Sequence, residues 1–172
     1  MKKALLAAFA LSVLAVSPSS GDSATVGVSA TVVNTCTVTA NAVTFGDYDR
    51  LAANKSAPLN ASGGVTLACT RGAAPSVGLS PGANGDGSAR RMRGADSALL
   101  TYQLYKPSSA APGAGCLYGS PAVWSDSAGG LLAPGAVVDR TPRAYRICGQ
   151  VGAGQSPPAG SYTDTVVVTV NF

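Results

Sequence analysis

Four cysteines, Cys36, Cys69, Cys116 and Cys148, carry the most constrained chemistry in this 172-residue chain. An even count in an exported chain favours disulfides, whereas a metal site wants close ligand spacing and usually histidine. The chain has no histidine and no CxxC, so two disulfides are expected. The residues alone allow three connectivities; Cys36–Cys69 with Cys116–Cys148 would close loops of about 33 residues each. Hydrolytic chemistry lacks its parts. Without histidine no Ser-His-Asp arrangement forms. Asp47 and Asp49 in "FGDYD" could pair as catalytic carboxylates, but their placement around a glycine reads as turn chemistry. "NGDG" at 84–87 resembles a calcium-loop fragment, yet no glutamate exists to complete one. Arg90, Arg91 and Arg93 in "RRMR" read as a solvated strand end with Met92 packed inward, rather than as an anion patch. No catalytic residue, metal ligand or cofactor is expected.

The elements that must position these residues are β-strands. The chain holds 21 Gly and 11 Pro, with Val, Thr and Ser abundant and charged helix formers scarce, which points to an all-β fold. Residues 1–21 read as a secretory signal: Lys2 and Lys3, an apolar run over 4–16, then small residues. That run is shorter than the roughly 20 residues of a membrane helix, so export without membrane insertion is expected. Removing the two lysines leaves 10 basic and 8 acidic residues, too mild a balance to imply nucleic acid. The remaining chain suits one domain.

Period-two patterns recur along it. Val65, Leu67 and Cys69 share a face, as do Val77 and Leu79, then Leu100, Tyr102 and Leu104, then Tyr145, Ile147 and Val151. "AVTFGDYD" reads as a short strand ending at Gly46, and "LAANKSAPLNASGG" as a loop. The stretch 106–142 is irregular, with strand-like patches only at Val123-Trp124 and Val137-Val138. About eight short strands at such spacing predict an antiparallel Greek-key sandwich.

The two ends of this pattern do not close on themselves. In "SATVGVSATVVNTC" (23–36), Ala24, Val26, Val28, Ala30 and Val32 alternate with small or polar residues, giving a strand with a small apolar face. In "SYTDTVVVTVNF" (161–172), Tyr162, Val166, Val168, Val170 and Phe172 share a face of the longest and most apolar strand. Such a strand with one neighbour is an exposed edge. The opening strand, or one from elsewhere, could cover it.

In order along the chain, "CTVTA", "FGDYD", "GGVTLACTRG", "RRMRGAD" with "LLTYQLY", Trp124 and "GQVGAGQSPPAGSYTDTVVVTV" together resemble the spore coat protein U domain family. That family includes the archaic, Csu-type chaperone–usher pilus subunits. Departures lie at Cys148 and Gly152, where the family often carries Tyr and Pro, and in "SDS" after Trp124. The resemblance implies Cys36–Cys69 as the common disulfide and Cys116–Cys148 as an additional one. It also implies an incomplete immunoglobulin-like sandwich, spanning 36–172, that lacks its final strand. Residues 22–35 would then be an N-terminal donor-strand extension and joint, with Val26, Val28, Ala30 and Val32 as the inserted residues. Val166, Val168, Val170 and Phe172 would form the acceptor strand. The implied partners are a periplasmic chaperone, an outer-membrane usher and neighbouring pilus subunits. A cell- or spore-coat protein of the same family is the close alternative; a monomeric secreted module closing its own sheet with 24–32 is the other.

Overall fold

The period-two runs form strands where their apolar faces meet across a sandwich. The computed structural model describes residues 21–87, 89–119 and 123–172. The signal expected at 1–21 therefore lies outside the described residues, apart from Gly21. The chain divides into a leading unit ending at Thr31 and a unit from Val32 to Phe172. In the leading unit, residues 21–31 form no strand and are exposed.

The second unit is nearly all β. Its strands are β1 (Cys36–Asn41), β2 (Leu59–Cys69), β3 (Ser76–Leu79), β4 (Arg90–Arg93), β5 (Leu99–Tyr105), β6 (Arg143–Val151) and β7 (Val168–Asn171), with one 3-10 turn at Ala95–Ser97. One antiparallel sheet runs β1-β2-β6-β5-β4, and β3 pairs with β7 in the other. Val65, Leu67, Leu100, Leu104, Tyr145, Ile147 and Val151 of the larger sheet join Val77 and Leu79 of the smaller in a single buried core. Trp124 is fully buried there, and its indole N–H donates to the Val77 carbonyl at 2.9 Å.

Both disulfides form as the resemblance implied. Cys36 and Cys69 face each other across β1 and β2, with Cα atoms 4.0 Å apart. Cys116–Cys148, at 5.5 Å, ties the irregular 106–119 stretch to β6.

Five local expectations fail, each for a pairing reason. The opening 24–32 stretch is no strand. The 42–49 stretch is also outside the strands, because it leaves β1 and crosses the larger sheet. A Cβ added at Gly63 would lie 2.6 Å from the Asn41 carbonyl oxygen, and one at Gly149 2.6 Å from Val43 Cγ1, so both crossings require glycine. The expected loop at 51–64 instead gives its last residues to β2, where Leu59 pairs with Val151 and Gly64 with Arg146. The long final strand is regular only at Val168–Asn171. Upstream it is extended but borrows partners from loops and a strand end: Thr163 pairs with Arg93, Ala83 N donates to Thr165 O, and Ser80 N donates to Val167 O.

The fifth correction concerns Arg90, which is 3% exposed rather than solvated. Its Nε and Nη2 donate to the Ser80 carbonyl, Nη2 also to those of Leu79 (3.0 Å) and Trp124 (2.8 Å), and Nη1 to Gln103 Oε1 (2.7 Å). One guanidinium thus ties β4 and β5 of the larger sheet to the end of β3. Five N–H donors in a fixed fork suit this task, which lysine could not perform. Met92 and Arg91 are half-buried, and Arg93 is exposed, with Arg91 paired to Asp86. Arg90→Met should lower the unfolding free energy by about 3 kcal/mol, because three buried carbonyls lose a charged donor. Arg91→Met should cost under about 1 kcal/mol, as partly exposed ion pairs do. Urea denaturation of both variants checks this, and equal losses would contradict the clamp.

Candidate functional site

From Tyr162 to Val170 the even-numbered residues are half-buried and the odd-numbered ones exposed. Alternate residues of an extended chain also send their N–H and C=O groups to opposite edges. Thr163, Thr165 and Val167 spend theirs on Arg93, Ala83 and Ser80, and Thr169 stands opposite Gly78 in the β3 ladder. The even residues therefore direct theirs to the other edge. Among the described residues, no strand pairs with that edge.

Along it runs an open groove of about 920 Å³. Residues 40–48 form one wall and residues 157–168 the other, while Leu59, Tyr102, Leu104, Ile147 and Val151 line its floor. The walls run in opposite directions. Tyr48 and Arg50 meet residues 152–156 at one end, while β1 approaches β7 at the other.

The two motifs singled out in the sequence close the first end together. Tyr48 Oη donates to the Gly152 carbonyl (2.8 Å) and accepts from Gln155 N (2.9 Å). Gly154 N donates to the carbonyl of Asn54, which is buried, and Asp49 N donates to Asn54 Oδ1. Asp49 Oδ1 accepts from Leu51 N and Ala52 N, so Asp49 serves turn chemistry as expected. The Gln155 amide extends the sheet itself, accepting from Thr101 N and donating to Thr101 O, both at 2.8 Å.

Asp164, in phase with Tyr162 and Val166, places a carboxylate over the apolar floor. Tyr102 Oη donates to Asp164 Oδ2 at 2.7 Å, while Asn84 donates to Asp164 Oδ1 through its backbone N (3.1 Å) and its side-chain amide (3.0 Å). Burial, then the Asp164 hydrogen bond and charge, push the Tyr102 hydroxyl pKa well above its ordinary value. Burial lowers that of Arg90, with Tyr102, Asp126 and Asp164 opposing.

The sequence-predicted residues are distributed as follows. Val166 and Val168 line the groove. Val170 is half-buried beside them, opposite Val77, and Phe172 lies beyond β7 at 54% exposure. Val26, Val28, Ala30 and Val32 are exposed. Sequence reasoning missed Asp164, Tyr102 as its partner, and Arg90. The available signal was the aspartate standing in phase with Tyr162 and Val166.

Comparison with known proteins decides the family. The model of the Spore Coat Protein U domain matches residues 22–169. The chain belongs to that family. Among curated proteins, none matches the chain in sequence. Solved structures do match, among them a chain in the crystal structure of the CsuC–CsuE chaperone–tip adhesion subunit pre-assembly complex, from archaic chaperone–usher Csu pili of Acinetobacter baumannii. The TM-score is 0.55 at 23% identity, over 83% of this chain and 41% of that one. The likeness establishes a shared fold, over less than half the length of the solved chain.

Burial of the Tyr102 hydroxyl, reinforced by its contact with Asp164, makes stability pH-dependent. Because the folded-state pKa of Tyr102 is raised, the native state keeps a proton that the unfolded chain gives up above about pH 10. Its contribution is full below that pH and is lost as pH rises further. Tyr145, also raised by burial, adds to the same fall. Tyr102→Phe should be less stable at pH 8 but lose less stability between about pH 8 and 11 than the parent. Urea midpoints at both pH values test this; parallel losses would refute it.

Proposed function

We propose that this chain is a structural subunit of a surface pilus, assembled through a chaperone–usher pathway by donor-strand exchange and serving adhesion or biofilm formation. The observation that carries the reading is the edge of residues 162–170, which no strand among the described residues pairs, beside an open groove with an apolar floor. Family membership and the fold shared with a chaperone-bound pilus complex support it.

The physics is strand addition. Main-chain hydrogen bonds to the free edge give affinity, and alternate side chains entering the groove give specificity. In this reading a periplasmic chaperone first lends a strand. At the outer-membrane usher, residues 22–35 of an incoming subunit replace it, placing Val26, Val28, Ala30 and Val32 against Val166, Val168 and Val170. Residues 36–172 form the receiving domain, and the assembled fibre lies outside the cell. The role is structural rather than enzymatic. A coat protein of the same family would use the same joint, and the family's description favours it as the second reading.

Deleting residues 22–33 tests the joint. The shortened chain should be recovered with its chaperone yet form no polymers, while a peptide of residues 22–34 should bind it. A full-length chain that stays monomeric, and a deletion that unfolds it, would overturn the proposal.

A further inference from the structure

The groove carries a register mark. Of the half-buried positions from Tyr162 to Val170, four are apolar and one, Asp164, holds a carboxylate fixed by Tyr102 and Asn84. Directly opposed residues of paired strands share a face. A large apolar side chain over Asp164 would strip water from a charged group, a cost that a small one avoids. Residues 24–32 offer five inward side chains for these five positions, and only Ala24 and Ala30 are small. Set antiparallel and full length, they place Val32 at Tyr162, Ala30 at Asp164, Val28 at Val166, Val26 at Val168 and Ala24 at Val170. The parallel full-length register puts Val26 over the carboxylate instead. Antiparallel slips of two residues put Val28 or Val32 there.

Chain geometry then selects the source of the strand. In the antiparallel register Val32 lies at the Tyr162 end. The chain's own Val33 and Thr35 are bound to Thr70, beside Cys36 at the start of β1. β1 meets β7 at the opposite end of the groove. Tyr162 to Val170 spans roughly 26 Å, and the four-residue step from Val32 to Cys36 reaches at most about 14 Å. A chain cannot fill its own groove this way.

We infer that Asp164 is a specificity-determining residue that sets register, and that its complement is Ala30 of a second copy of this chain, bound antiparallel to residues 162–170. The inference rests on the donor-strand reading above and adds partner, orientation and register to it.

Paired cysteine substitutions in the full-length chain read all three. Val28→Cys with Val166→Cys should give a ladder of cross-linked multimers under mild oxidation, seen on non-reducing gels. Val26→Cys with Val166→Cys should not. Ala30→Leu, added to the first pair, should reduce the ladder about tenfold, whereas Ala24→Leu should change it less than about twofold. Asp164→Ala should restore part of the loss caused by Ala30→Leu. A ladder from the Val26 pair, an internal cross-link within one chain, or equal effects of both leucines would overturn the inference while leaving donor-strand exchange standing. Multimers of the parent chain that appear only with a different pilus subunit added would exclude the second copy as partner. A parent chain that never assembles would sink both.

Discussion

Everything in this molecule turns on one unpaired strand edge. The final segment spends alternate backbone groups on Arg93, Ala83, Ser80 and β3, and among the described residues no strand pairs with the others. A soluble protein normally blunts such an edge with charge, proline or a bulge. Here the half-buried positions 162, 166, 168 and 170 of that segment are aromatic or aliphatic, with Asp164 the one charged residue among them, and residues 40–48 form the facing wall of an open groove. The gap is maintained, not accidental. Gly63 and Gly149 let residues 41–45 cross the sheet closely, and the Tyr48, Asn54 and Gln155 contacts lock the crossing at its far end.

A sandwich that leaves a gap must compensate elsewhere, and it does so with polar ties rather than more apolar area. Arg90 joins the two sheets through carbonyls of Leu79, Ser80 and Trp124. Asp164 anchors the closing segment to Tyr102 of the opposite sheet. Both ties have strict geometry, so they hold the sheets at a fixed separation while the groove is open. Apolar contacts alone are non-directional and would favour collapse of the walls onto each other.

The sequence was informative wherever one face was uniformly apolar. The core positions of β2, β3, β5 and β6, and the final alternation, were readable from period two alone. Family resemblance supplied what periodicity could not, namely the disulfide pairing and the expectation of a missing strand. Periodicity failed where a tertiary partner overrode it. Leu59–Gly64 looked like loop because of its Asn, Ser and Gly content, yet β6 recruits it. "RRMR" looked solvated because three arginines on a short strand usually are. Only the fold reveals that Arg90 points where three carbonyls converge. Asp164 breaks an apolar series, and that break is where its information lies.

The location of the first disulfide also follows from the proposed joint. In a fibre, tension on a donated arm reaches the subunit through Val33 and Thr35. Their hydrogen bonds to Thr70 lie beside the Cys36–Cys69 bridge. That bridge passes the load covalently from the start of β1 to the end of β2, an 11-residue strand paired on both sides. Without it, pulling would peel β1 from the sheet edge one hydrogen-bonded pair at a time. With it, β1 and the wall it continues into stay fixed, and the load falls on the inserted strand along its own axis. In the proposed joint the hydrogen bonds to residues 162–170 would be sheared together. A joint loaded in that direction holds with small side chains, which explains why an arm of Ala and Val would suffice.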